Sequence, residues 1–188
     1  MQLTKFAYYA DYVAYPLVIV GLAGAALVGT TWTGAAEWLL AAIVGCALWT
    51  LMEYFLHRVA LHRIAYFIPM HGLHHSSPLA FVGTPTWFSI LTLSCAILAP
   101  AWFAFGFTVA SGLTAGVMFG YTWYGIVHHL IHHRRASPSP SFLNGLRRWH
   151  MRHHFSPQKG NFGVTTALWD HVFGTAIAPE PLKGGLPG

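Results

Sequence analysis

Ten of the thirteen histidines in this sequence fall into four tight groups: His57/His62, His71/His74/His75, His128/His132 and His150/His153/His154. Two of the groups share the spacing H-x-x-H-H, as HGLHH and HMRHH. Imidazole is the commonest metal-binding side chain and is neutral when it ligates. Ten imidazoles exceed the six ligands of one octahedral ion, and a catalytic zinc usually takes three protein ligands. The count predicts two metals. A single isolated histidine would read as a satisfied polar group; ten in four groups, all at one end of apolar segments, read as ligands.

Residues three and four apart share a helix face. His71, His74 and His75 are therefore expected to converge on one point, and His150, His153 and His154 on another. His128 and His132 form an i, i+4 pair, as in helical metal sites. His57 and His62 are five apart, about 140° around an α-helix. They are expected to straddle a metal pair or to sit where the helix frays. His129 and His133 repeat the i, i+4 spacing one residue on, and spacing alone does not choose between the two pairs. His171 stands alone in LWDHVFG and is expected beside the site or at the surface. Glu53, one turn before His57, is expensive at membrane depth unless paired. It is expected to orient a ligand histidine or to pair with an arginine, because ligand histidines usually donate their second N–H to an acceptor. Asp170 is a candidate for the same work. Tyr121 and Tyr124 are candidate donors near His128, with aromatic packing the alternative.

The elements that carry these residues are membrane helices. The 188 residues suffice for one domain, expected over 1–178, and are 55% hydrophobic but only 8% charged, against about 25% charged in soluble domains. Four stretches approach the ~20 apolar residues a span needs: about 15–31, 35–56, 87–107 and 109–127. The second is expected to continue as helix to His62 and the fourth to His133. Pro100 predicts a kink in the third. TWTG marks one tight turn and Gly106 another. Gly112, Gly116 and Gly120 form a doubled G-x-x-x-G, a spacing that lets helices pack closely in lipid. Cys46 and Cys95 lie in apolar runs and are expected to be reduced and buried. No cleavable signal is evident, so the first apolar run is expected to be retained.

All ten lysines and arginines lie on the side of the N-terminus, the central loop and the C-terminal segment. The positive-inside rule places both termini and every histidine group in the cytoplasm. This also explains the net charge of +5 better than nucleic-acid binding does. Residues 137–175 are polar enough to form a cytoplasmic cap, interrupted at Pro138 and Pro140, with short helices expected near Arg147–Phe155 and Thr165–Phe173. Residues 179–188 read as a disordered tail. The fold class is all-α: a membrane four-helix bundle whose helical cap holds a histidine-rich dimetal site.

Taken in order, the groups resemble the fatty acid hydroxylase/sterol desaturase superfamily of membrane dimetal enzymes. The likeness runs from about Trp49 to Thr175, about two-thirds of the chain. EYFLHRVALH carries the H-x(4)-H box and HGLHH the H-x-x-H-H box. GYTWYGIVHHLIH is similar to the segment ending in H-x-x-x-H, which favours His128 and His132 over their neighbours. HMRHHF, followed by NFGVTTALWDHVFGT, resembles the last box and its F-G-x-(S/T)-T-x-L-W-D tail. The sequence looks most like fatty acid 2-hydroxylases, departing from them at 129, 133 and 171, where histidines replace common aromatics. No fused cytochrome b5 domain precedes the membrane part, so a separate electron donor such as cytochrome b5 or a ferredoxin is expected.

The resemblance implies a non-haem di-iron monooxygenase that uses O2 and two external electrons to hydroxylate a fatty acyl or lipid chain. All-imidazole ligation suits iron or zinc, so zinc is expected to be able to occupy the sites in a purified sample. Ligands at the lipid–water boundary favour attack near the head group, at C2. The arginines at 134, 135, 147, 148 and 152 could attract an anionic head group. Rival readings are a fatty acyl or sterol desaturase, a carotenoid hydroxylase and, outside enzymes, a membrane metal-binding or transport protein. Transport would need ligands near mid-bilayer, and a haem protein would need sparser histidine pairs.

Overall fold

The computed structural model describes residues 1–135 and 141–177, and the expected tail and the two cap prolines lie outside them. The described residues are helical, without strands; one isolated bridge joins Gln2 and Val82. Among the described residues, three helices are long and apolar enough to cross a membrane: Lys5–Leu27, Trp32–Leu61 and Thr86–Phe105.

The first consists of α1 (Lys5–Tyr9) and α2 (Asp11–Leu27). It starts ten residues before the expected span because Thr4 caps it, its hydroxyl accepting from Ala7 N at 3.2 Å. Gly29, at φ +73°, turns the chain after it. Helix α3 (Trp32–Phe55) then begins inside TWTG rather than after it, since Thr31 accepts from Gly34 N at 3.2 Å. The third helix is α5 (Thr86–Leu93), a π-helical turn (Ser94–Leu98) and α6 (Ala99–Phe105). Pro100 lacks an N–H and crowds the preceding turn. The chain absorbs it by widening the turn just ahead, where Ala99 N bonds back five residues to Ser94 O. Gly106, at φ +82°, reverses the chain into α7 (Phe107–His133).

Helix α7 is the most buried element and packs against both α2 and α3. The doubled G-x-x-x-G shapes this bundle. A Cβ on Gly112 would overlap the Trp38 carbonyl, and one on Gly116 the Ala42 carbonyl. Gly45 returns the contact from α3, against the Leu113 carbonyl. The two backbones touch, and the Cys46 thiol donates to Gly116 O at 3.4 Å. Cys46 is half-buried as a result, whereas Cys95, expected to be buried, is exposed on the helix surface. The bundle core gathers Tyr15, Trp49, Leu93, Ile97, Val117 and Met118.

Helix α4 (Ile68–Ser76) and α8 (Phe142–Phe155) carry the two H-x-x-H-H boxes. Helix α8 is five residues longer than expected, because Ser141 caps it by accepting from Asn144 N at 3.2 Å. Helix α9 (Leu168–Val172) is shorter than the Thr165–Phe173 expectation. The peptide N–H groups just before it are bonded to carboxylates instead of entering a helix, as shown below. Val127, Ile131, Leu146 and Val164 form a second cluster that ties α7, α8 and the 160–165 segment together. Each such buried aliphatic side chain contributes roughly 1.5–3 kcal/mol.

Candidate metal centre

The ten grouped histidines meet as two neighbouring sets of five. One holds His57, His62, His71, His75 and His153; the other holds His74, His128, His132, His150 and His154. Within each set one ring nitrogen per residue lies within 4.8 Å of every other. The sets adjoin, with the His75 and His154 rings stacked at 4.2 Å.

Local backbone geometry explains the sorting. After Phe55 the helix changes to a π-helical turn, Leu56–Leu61. Bonding from i to i+5 stacks residues five apart, as an α-turn stacks those four apart. His57 and His62 therefore do not straddle the two sets, as α-helical spacing predicts; their rings lie 5.3 Å apart and 25° from parallel, in the same set. The H-x-x-H-H boxes are likewise split rather than convergent. In HGLHH the i, i+4 pair His71/His75 joins the first set and His74 the second. In HMRHH the pair His150/His154 joins the second and His153 the first. Adjacent helical residues diverge by about 100°, so each box braces both sets.

The Nε2 atoms converge within each set. In the first set, His57, His62 and His75 Nε2 lie 3.1, 3.0 and 3.0 Å from His71 Nε2. His153 Nε2 lies 3.2 Å from that of His62 and 3.1 Å from that of His75. The second set shows 3.0 Å for His74–His128, 3.0 Å for His132–His150 and 3.1 Å for His150–His154. His57 Nδ1 donates to Phe162 O at 2.6 Å and His153 Nδ1 to Gly160 O at 2.8 Å. A carbonyl only accepts, so Nδ1 carries the proton and Nε2 is a bare lone pair. Lone pairs packed this closely repel unless a cation lies between them. Nitrogens ~2.1 Å from one ion and at right angles stand ~3.0 Å apart, which matches the spacing. The residues fit a metal pair.

Burial disfavours the charged form of the rings on α4 and α8. It pushes His74 and His153 down to about 3 and His154 down to about 2, and holds His150 well below the usual histidine range, with neighbouring imidazoles adding to the effect for all four.

Two carboxylates support the sets from behind. Asp170 is fully buried. Its carboxylate accepts from Phe162 N and Gly163 N at 2.8 Å each, Thr175 Oγ1 at 2.7 Å and Trp149 Nε1 at 3.3 Å. Glu53 bonds neither a histidine nor an arginine. It accepts from Val164 N at 2.6 Å, Thr165 N at 2.9 Å and Thr165 Oγ1 at 2.6 Å. Both carboxylates act on the 162–165 backbone, and that backbone, not a carboxylate, receives the His57 proton. Asn161 completes the clasp at φ +54°, donating to Trp149 O at 3.1 Å and accepting from Ile177 N at 2.7 Å. Sequence reasoning missed Asn161 and the Gly160 and Phe162 carbonyls, because a backbone acceptor leaves no side-chain signature.

The remaining candidates lie outside both sets. His129 and His133 stack on each other at 4.3 Å; His129 meets the Tyr8 hydroxyl at 3.2 Å and His133 stacks on Phe81. His171 is exposed beside Trp149. The Tyr121 hydroxyl donates to Asp11 at 2.8 Å rather than toward a histidine. Tyr124 stacks on the His128 ring at 5.5 Å. Arg147 donates to the Ile131 and Arg134 carbonyls and Arg152 to Ile177 O, so these two brace backbone.

A cavity of about 310 Å³ runs from His57, His71, His74 and His128 into the bundle, ending near Trp49, Leu93 and Tyr121. Both sets of histidines thus face one mainly apolar space.

A family model for fatty acid hydroxylases matches residues 42–175, and the chain belongs to this family. Among its relatives is "Dihydroceramide fatty acyl 2-hydroxylase FAH2" of Arabidopsis thaliana, 35% identical over 70% of this chain and 58% of the relative. "Ceramide very long chain fatty acid hydroxylase SCS7" of Saccharomyces cerevisiae is 35% identical over 95% of this chain and 48% of its own length. Human "Fatty acid 2-hydroxylase" is 33% identical over 74% of this chain and 40% of its own. The chain therefore spans about half the length of the curated relatives it matches. The solved structure of full-length scs7p, in which only the hydroxylase domain is visible, superposes with a TM-score of 0.78 at 28% identity, over 93% of this chain and 68% of that one.

Proposed function

We propose that this chain is a membrane-bound dimetal monooxygenase that hydroxylates an acyl chain near its head group, at C2. The observation that carries this is the convergence of ten imidazoles, as two adjoining sets of five, on the end of an apolar cavity. His57, His62, His71, His75 and His153 would hold one iron, and His74, His128, His132, His150 and His154 the other. Iron, when bound, supplies the activation of O2 that C–H hydroxylation requires; zinc would fill the same imidazoles without redox chemistry. The reaction balances as acyl C–H, O2, two electrons and two protons giving acyl C–OH and water. Membership of the family and the 2-hydroxylase names of its relatives support the reaction and the position.

The protein's own groups bind, orient and exclude. Phe162 O and Gly160 O fix His57 and His153 with their lone pairs inward. Glu53, Asp170 and Asn161 hold those carbonyls in place. The apolar cavity walls keep water from the reacting carbon, and the depth of the cavity within the bundle takes the chain. The four long helices form a membrane bundle with α7 as the fourth span, α8 and α9 form a cap over the histidines, and residues 1–178 act as one domain. The one-sided basic residues support a cytoplasmic site. A separate donor, cytochrome b5 or a ferredoxin, delivers the electrons.

Lipid mass spectrometry of cells expressing the protein beside its His75→Ala variant tests the proposal. The expected result is an acyl product one oxygen heavier, fragmenting as the 2-hydroxy isomer and absent from the variant. A product two hydrogens lighter, or a lipid profile unchanged by expression, overturns it.

A further inference from the structure

We propose that the acyl chain reaches the cavity sideways from the bilayer, through a slot between the π-helical turn that ends α3 and the first two turns of α5. This rests on the proposed lipid hydroxylase activity for its substrate but not for its geometry. Among the described residues, α3 packs mainly on α7 and α5 touches α2, and α3 and α5 do not pack along each other. Leu56 and Ala60 on one side and Phe88 and Thr92 on the other all line the cavity. Leu56 is 46% exposed and Phe88 42%, and Thr92 is exposed. Side chains that face the cavity and the outer surface at once mark a mouth. That mouth lies between two membrane-length helices, near the end of Trp32–Leu61 and the start of Thr86–Phe105, so it opens to lipid at the histidine end. An acyl chain is the occupant whose apolarity and location match it.

The N-terminal edge of the cavity is strapped. Leu3 N donates to Phe81 O at 2.8 Å and Gly83 N to Met1 O at 3.1 Å, laying residues 1–3 along the 81–83 loop, with Leu3 itself lining the cavity. The π-helical turn serves twice: it stacks His57 with His62 and offers Leu56 and Ala60 to the slot.

Two substitutions one residue apart test the slot. Thr92→Phe fills it, whereas Leu91→Phe adds the same ring to a residue that is 55% exposed but does not line the cavity. In vesicles carrying a long-chain substrate lipid, Thr92→Phe is expected to raise KM or lower turnover at least tenfold, with bound metal and melting temperature unchanged; Leu91→Phe is expected to stay within twofold of the parent. A second readout needs no activity. Phospholipids brominated along the acyl chain should quench Trp49, which is 4% exposed and lines the cavity; its share is taken as the difference between the parent and Trp49→Phe. That share should fall severalfold in Thr92→Phe only. Equal effects of both substitutions, or a Trp49 signal that brominated chains never quench, overturn the slot. Loss of hydroxylation in the parent protein with Trp49 quenching intact would instead count against the proposed activity and leave the slot standing.

Discussion

Replacing Asp170 with asparagine tests the idea that the carboxylate network, acting through backbone, holds the histidines. The carboxylate uses all four of its acceptor positions, on two peptide N–H groups, one hydroxyl and one indole. An amide of the same shape keeps one oxygen and turns the other position into a donor. With the nitrogen at the second position, the Gly163 N–H and the Trp149 indole N–H face an N–H group and lose their partner. Each hydrogen bond to a charged group is worth about 1.5–3 kcal/mol, so the substitution should cost about 3–6 kcal/mol. For a chain of this size each kcal/mol lowers the melting temperature by roughly 2–4 °C, giving a drop of at least about 6 °C. The damage then reaches the metals, because the peptide group joining Phe162 and Gly163 donates to Asp170 through its N–H and accepts from His57 through its carbonyl. Misplaced partners behind ligand histidines typically cost about 10–100-fold in metal affinity. Melting in detergent and elemental analysis after dialysis against a weak chelator read both effects. His171→Ala, one residue on and exposed, is the control and should shift melting by no more than about 0.5 kcal/mol equivalent. An Asp170→Asn protein that melts with the parent and keeps its metal would falsify the network.

Other expectations concern the two sets and their surroundings. His74→Ala and His153→Ala should each abolish hydroxylation while lowering bound metal from about two ions towards one, measured as metal per protein; loss of both ions from either variant would mean the sets do not fill separately. His129→Ala should leave metal content unchanged and at most loosen the Tyr8 contact, and metal loss there would place it among the ligands. Acid should unfold the metal-free protein early. His74 and His153 are held down to about 3 in the fold, against about 6.5 when unfolded. Their contribution is complete above about pH 6.5 and is lost as pH falls from there towards 3, about 2 kcal/mol per ring by pH 5; melting temperatures that stay level between pH 7.5 and 5 contradict this. Gly116→Ala should separate α3 from α7 and lower melting by several degrees, since its Cβ would overlap the Ala42 carbonyl; a neutral effect would show the helices are not in backbone contact.

Much of this protein was legible in the order of its residues. Apolar runs of span length, glycine at Gly106 and small residues at Gly112, Gly116 and Gly120 announce membrane-length helices, a tight turn and a close crossing, because bilayer thickness and backbone sterics act locally. The four histidine groups announce metal chemistry, since so many imidazoles at one end of apolar helices have no cheaper explanation. What sequence could not decide was the sorting. Whether His57 and His62 meet depends on the pitch of one turn, and a π-helical turn is set by how the helix end packs, not by spacing. Whether a box aims at one set or divides between two depends on the positions of α4 and α8. The partners of Glu53 and Asp170 are peptide groups more than a hundred and about eight residues away, and a peptide N–H has no side chain to mark it. Composition and periodicity are properties of a segment; convergence of lone pairs is a property of the assembled fold, because it exists only once distant backbones have fixed the direction of each ring.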